Sequence, residues 1–244
     1  MRYLIDFSYS GAQFNGYQKQ PGLRCVQTEI EKVLTNINNK KDVVIYSAGR
    51  TDSKVNALHQ MAHFDLDKKI ESYKLKGALN SYLPNDIHIN SVNMVDDNFH
   101  ARYMVKKKTY EYKISTNEYN PLEKDYIYQY GKSLDIEKMK KAINYFKGTH
   151  DFTSFTCAED KREDKVRCIS KVSLKEKKGI ISIIFEGKGF LKYQVRNMVG
   201  LLIKIGEEKE DAKSIPLLLE KKDRRVIGQT APACGLTLVN VEYK

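Results

Sequence analysis

The chain has 244 residues, of which 41% are hydrophobic and 30% charged, ordinary proportions for a globular protein with one large or two modest packed units. No run of about 18 uncharged apolar residues occurs, so no membrane-spanning helix is expected, and Asp6 interrupts the N-terminal apolar stretch where a secretory signal would be continuous. The expected location is the cytoplasm, and 42 Lys+Arg against 31 Asp+Glu, a net charge of +11, point to a polyanionic partner.

Arg2 to Tyr9 alternates, with Tyr3, Ile5, Phe7 and Tyr9 on one side, and reads as a half-buried strand. A Gly-rich polar loop follows. From Val26 the period becomes helical, with Val26, Ile30, Val33, Leu34 and Ile37 in one stripe. Val43 to Tyr46 reads as a buried strand ending at Gly49, and Gln60 to Leu66 as another. Ser72 to Leu83 is predicted helical, stopped by Pro84, and Ile87 to Val95 a strand.

The second half repeats this grammar. Lys108 to Ser115 is predicted a strand with Tyr110, Tyr112 and Ile114 on one face. A helix is expected over Asp135 to Lys147 with Gly148 as its cap. Strands are expected at 166–174 and 180–186, helices at 193–205 and 211–221, and a last strand at 236–242. The pattern implies an α+β protein: two ferredoxin-like halves, residues 1–103 and 104–244, sharing a mostly antiparallel sheet with helices on one side.

Cys25, Cys157, Cys168 and Cys234 form no C-x-x-C pair, so no zinc site is predicted and reduced thiols are expected. His59 and His63 sit four apart, but in a segment that alternates like a strand and without the glutamate of a metalloprotease helix.

Gly49-Arg50-Thr51-Asp52 follows the Val43 to Tyr46 run, placing Asp52 on a tight loop at a strand end. On four residues alone, an Asx turn or helix cap is the plainer reading. The surrounding segments say more. GRTDSKVNALHQMAHF lies between NGYQKQPGLRCVQTEIEKVL and the later FHARY, KKKTYEY, DFTSF, GFLKYQVRNMVG and APACGLTLVNVEY. In that order the chain resembles the tRNA pseudouridine synthase A family over nearly its whole length.

The resemblance implies Asp52 as the catalytic aspartate, Tyr110 as the tyrosine packing on the target base, and Arg196 as the basic partner of the aspartate. Arg50 matches an arginine that helps hold the nucleotide out of the stack. It also implies a homodimer acting on tRNA in the anticodon stem-loop, positions 38 to 40, with no cofactor and no metal. The chemistry suits those residues. Uridine becomes pseudouridine by breaking N1–C1′, turning the base and rejoining through C5, with nothing oxidised. One ionised carboxylate at the sugar is needed, as nucleophile on C1′ or base at C2′. A nearby arginine, permanently charged, keeps such a carboxylate ionised.

Each residue also has a structural reading. Tyr110 could simply fill core beside Tyr112, and Arg196 could run its stem along an apolar helix to solvent. The clusters at 106–108, 161–162 and 221–225 argue for RNA only in sum.

The chain departs from its relatives beside the aspartate. They carry a small residue, then glycine, then a histidine shortly beyond, where this chain has Ser53, Lys54 and Asn56. Lys54 stands where a positive φ is expected, which costs a side chain about 1 kcal/mol. Tyr17 stands for the usual tryptophan. Alternative readings are therefore the same reaction on another RNA, or an RNA-binding protein or RNA chaperone that kept the fold and altered the site.

Overall fold

The computed structural model describes residues 1–243. They form two compact units, one of Met1–Lys106 with the chain from Leu238 onward, the other of Lys107–Thr237. Both are α+β.

In the first unit, β1 (Arg2–Tyr9) lies between β3 (Asn56–Asp65) and β4 (Ile87–Met94), antiparallel to each. The short β2 (Tyr46–Ser47) pairs antiparallel with β3. The spatial order β4-β1-β3-β2 is that of a ferredoxin-like half. β10 (Leu236–Glu242) also lies beside β3. Tyr3, Ile5 and Phe7 are wholly buried, as their alternation predicts, and Tyr3 stacks on its cross-strand partner Phe64 with ring centroids 5.9 Å apart. Helix α1 (Val26–Ile37) buries Val26, Ile30 and Leu34 completely. Each such side chain contributes roughly 1.5–3 kcal/mol. Helix α2 (Ser72–Tyr82) ends just before Pro84 and packs on β4.

One expectation here fails. Val43 to Tyr46 is not a buried strand: Val44 and Tyr46 are half exposed, and only Tyr46 and Ser47 join a ladder. The amides of Val43 and Ile45 donate instead to side chains of α1, Thr35 Oγ1 at 3.2 Å and Glu31 Oε1 at 3.2 Å. Those backbone groups are satisfied without a neighbouring strand, so the apolar run never becomes a central one. β3, in turn, starts four residues earlier than its alternation suggested.

In the second unit the strand order is β5 (Lys107–Ser115), β9 (Ile180–Gly187), β8 (Val166–Lys177) and β7 (Gly148–Asp151), neighbours antiparallel. The short β6 (Tyr128–Gln129) runs parallel to β5. Tyr110, Tyr112 and Ile114 oppose Phe185, Ile183 and Ile181, and all six are buried. That register follows from the alternation, because a one-residue slip would turn every apolar side chain outward. Helix α3 (Ile136–Ile143) is capped by Asp135, whose carboxylate accepts from Lys138 N at 2.9 Å. It stops short of the expected Lys147: Asn144–Phe146 tighten into a 3-10 turn, and Gly148 opens β7 at φ +109°. Helix α4 (Gln194–Gly206) is buried almost all round, which explains its nearly continuous apolar sequence, and packs against α3. Helix α5 (Ser214–Glu220) is shorter than expected. No helix among the described residues is long and apolar enough to cross a membrane.

Candidate active site

The segment between β2 and β3 carries Arg50 and Asp52 in the first unit, and it is tied at nearly every step. Gly49 O accepts from Ser47 Oγ and from Gln60 Nε2, both at 2.9 Å. Thr51 O accepts from Tyr17 N at 3.2 Å, and the buried Thr51 hydroxyl shares a 2.8 Å hydrogen bond with Tyr9. Burial pushes the Tyr9 phenol up to about 12, so it stays protonated and can donate in that bond. Asp52 O accepts from Val55 N at 3.2 Å, closing a four-residue turn. Lys54 N and Ser53 Oγ both donate to Phe14 O, at 3.3 and 3.2 Å. Asp52 is half-buried and Arg50 exposed.

The left-handed residue of this loop is Lys54, at φ +63°, and not Gly49. The backbone thus adopts at Lys54 the conformation expected from sequence. Asn56 serves the packing of this loop: it is buried, and its Oδ1 accepts from Gly11 N at 2.7 Å. Gly11 is required for a different reason, close approach. A Cβ on it would fall 2.2 Å from Val55 O.

Phe14, the strap for Lys54 and Ser53, is itself clamped. It is buried edge-on to Tyr9, and the Arg24 guanidinium lies 4.2 Å from its ring centroid. Arg24 in turn holds Asp86 with two hydrogen bonds at 2.7 and 2.9 Å. A chain of contacts therefore runs from Asp86 through Arg24 and Phe14 to the turn that starts at Asp52.

The second unit holds Tyr110 and Arg196. Tyr110, on β5, is 7% exposed and meets Phe190 edge to face at 5.2 Å. Burial of this kind suits both a core tyrosine and a ring that packs on a base. Arg196 sits in the first turn of α4. Its Nε donates to Ala231 O at 2.8 Å, and its guanidinium lies 5.0 Å from the Tyr193 ring centroid, so the head group is oriented from two sides. Ala231 N returns a bond to Arg196 O at 3.1 Å.

Sequence reasoning gave Tyr193 as the first helical residue. The structure makes it the cap in the left-handed region, φ +64°, a strained setting for an aromatic residue next to Arg196. It also missed Asn197. This wholly buried amide donates to Phe155 O at 2.7 Å and accepts from Thr230 Oγ1 at 2.7 Å and Arg224 at 3.1 Å. It thereby joins the DFTSF and GFLKYQVRNMVG segments to the stretch just before APACG. An uncharged polar residue among the buried positions of α4 was the available signal.

His59 and His63 do not make a metal site. His59 Nδ1 bonds Asp6 at 2.8 Å, while His63 Nδ1 accepts from Ala101 N at 3.1 Å and stacks on Tyr46. Burial pushes His63 down to about 4, keeping it neutral as that acceptor role requires. Among the described residues no three His, Cys, Asp or Glu side chains converge as metal ligands.

Two comparisons with known proteins decide the family. The model of a family described as tRNA pseudouridine synthase matches residues 7–104 and 142–244. Curated proteins named tRNA pseudouridine synthase A from Streptococcus pneumoniae, strain 70585 and strain TIGR4, are each 44% identical over 246 aligned positions, covering 100% of this chain and 99% of theirs. This chain belongs to the tRNA pseudouridine synthase family. A solved Cbf5-Nop10-Gar1 complex aligns at TM-score 0.32 and 10% identity, over 83% of this chain and 54% of that one, too distant to bear on fold or chemistry. In the first unit, the loop from Ala48 to Val55 is fixed chiefly through its backbone, at Gly49, Thr51, Asp52 and Lys54.

Proposed function

We propose that this tRNA pseudouridine synthase isomerises uridines of the anticodon stem-loop, positions 38 to 40, with Asp52 acting on the ribose of an extruded nucleotide. The observation that carries the reading is the full-length 44% identity to proteins named tRNA pseudouridine synthase A. The strapped loop around Asp52 supports the role of that residue, because a group that must meet C1′ or the C2′ proton gains from being held before substrate arrives.

In this account Asp52 either attacks C1′ and displaces N1, to be displaced in turn when C5 of the turned base bonds to C1′, or removes the C2′ proton as N1–C1′ breaks and returns it to C2′ as C5 bonds to C1′. In both routes N1 takes up a proton. The C5 proton leaves to solvent or through the Tyr110 hydroxyl. Tyr110 packs on the base during the turn, a contact of about 1–3 kcal/mol in base–aromatic pairs. Arg196 favours the ionised form of Asp52, and its hydrogen bond to Ala231 and its seat over the Tyr193 ring limit the rotamers it must give up to do so. Arg50 holds the nucleotide outside the stack, and recognition of the rest of the tRNA is by shape and phosphate contacts. The protein acts in the cytoplasm as a homodimer, with no cofactor and no metal.

The test is release of tritium from tRNA labelled at C5 of uridine, with purified protein, no added cofactor and a chelator present. Release to water from tRNA, with pseudouridine mapped at positions 38 to 40, is the expected result. Release from ribosomal RNA alone would move the substrate, and tight tRNA binding without release would favour an RNA chaperone.

A further inference from the structure

Lys54 is strained, exposed and two residues from Asp52. At φ +63° its Cβ crowds the carbonyl that follows, a conformation glycine adopts freely and lysine does not. The chain does use glycine where only a turn is needed, at Gly22 and Gly131, where an added Cβ would meet nothing closer than 3.8 Å. Lys40, Lys178 and Lys222 share the left-handed region, but they follow α1, tip the β8–β9 hairpin and follow α5, where a turn closes and nothing more is asked. Strain alone therefore does not single Lys54 out. Its position does.

The turn from Asp52 to Val55 is closed by the carbonyl of Asp52 itself, and the Lys54 amide is bound to Phe14 O, so the backbone cannot relax without moving the carboxylate's own residue. No carboxylate forms an ion pair with the Lys54 ammonium among the described residues, whereas Lys19, Lys41, Lys138 and several others have one. Arg50 and Lys54 thus bracket Asp52, two residues to either side, and both are exposed. A nucleotide drawn out of a helix carries a phosphate on each side of its ribose. An exposed ammonium is a compact point charge well matched to one of them.

We propose that Lys54 contacts a backbone phosphate next to the target uridine and is retained at the expense of turn stability. The inference rests on the reading of Asp52 as the group that acts on the ribose. It makes Lys54 a positioning residue with opposed effects on folding and on RNA binding.

The test uses Lys54→Gly, Lys54→Gln and Lys54→Arg in the full chain. Thermal melting should rise by about 2–4 °C for Lys54→Gly, as relief of one left-handed side chain predicts for a protein of this size. The same variant should raise KM for tRNA about fivefold, with a smaller effect on kcat. It should also reduce the slope of log binding constant against log salt by about 0.7–0.9, one phosphate contact. Lys54→Gln should weaken binding equally without the gain in melting temperature, and Lys54→Arg should restore KM. A glycine variant that melts higher yet keeps KM and salt slope would overturn the proposal, as would one that melts no higher. Should the unaltered protein release no tritium from any tRNA, the reading of Asp52 fails, while the salt slope of tRNA binding still decides the phosphate contact.

Discussion

The segment around Asp52 and the segment around Arg196 fix a polar side chain by opposite means. In the first unit the loop is held through its backbone: Gly49, Thr51 and Asp52 accept at their carbonyls and Lys54 donates from its amide. In the second unit the work falls to buried side chains, with Asn197 joining three segments and Arg196 braced on Ala231 and Tyr193. A loop has unpaired backbone groups to offer, while a helix uses most of its own internally and is positioned largely through side chains. The two designs should therefore fail differently. Loss of a side chain should hurt the second unit most, and intrusion on the backbone should hurt the first.

The largest stability effect should come from Asn197→Ala. It strands Phe155 O in the core and takes one partner each from the half-buried Thr230 and Arg224, which still bond each other, and about 2–4 kcal/mol of stability should be lost in denaturant unfolding. Gly11→Ala should cost about 1–3 kcal/mol, because the added methyl meets Val55 O at 2.2 Å. Its signature is the activity: a shift of the Asp52 turn on the order of 1 Å should lower kcat about 100-fold while tRNA binding persists. If Gly11→Ala and Asn197→Ala damage activity only in proportion to stability, the contrast between the two segments is wrong.

Arg24→Gln should cost about 1 kcal/mol or less, since the pair with Asp86 is partly exposed, and should loosen Phe14 enough to lower kcat measurably. A further effect, absent at neutral pH, is in pH dependence. His63 folds with its pKa pushed down to about 4 from 6.5, so the unfolded chain takes up a proton that the folded one refuses. Its contribution is complete above pH 6.5 and is lost progressively as pH falls toward 4. Asparagine at position 63 can still accept from the Ala101 amide and does not titrate, so His63→Asn should flatten the stability profile in that window. An unchanged slope would show that another group controls it.

Much of this architecture could be read from residue order. Alternation located β1, β5 and β9 to within a residue or so, and the 3.6-residue stripe located α1 and α2. Both signals arise from burial on one face, which is local in sequence. What failed was set by partners far along the chain. The Val43 to Tyr46 run has the composition of a buried strand, yet side chains eight and fourteen residues earlier take its amides. Periodicity carries no information about such bonds. The proposed site residues Arg50, Asp52, Tyr110 and Arg196 rest on family resemblance alone, since each by itself has an ordinary structural reading. Gly11, Phe14 and Asn56, which pack the loop around Asp52, and Asn197, which ties α4 to its neighbours, were not legible, because close approach and buried hydrogen bonds appear only once the segments meet.

The most direct measurement compares the unaltered protein with Asp52→Ala on tRNA tritiated at C5 of uridine, following label release and filter binding side by side. Asp52→Ala should bind tRNA within about threefold of the unaltered protein, since one half-buried carboxylate contributes little to phosphate recognition. It should release no label over the time in which the unaltered protein completes many turnovers. Release by Asp52→Ala at a comparable rate would place the chemistry on another residue and contradict the role given to the loop.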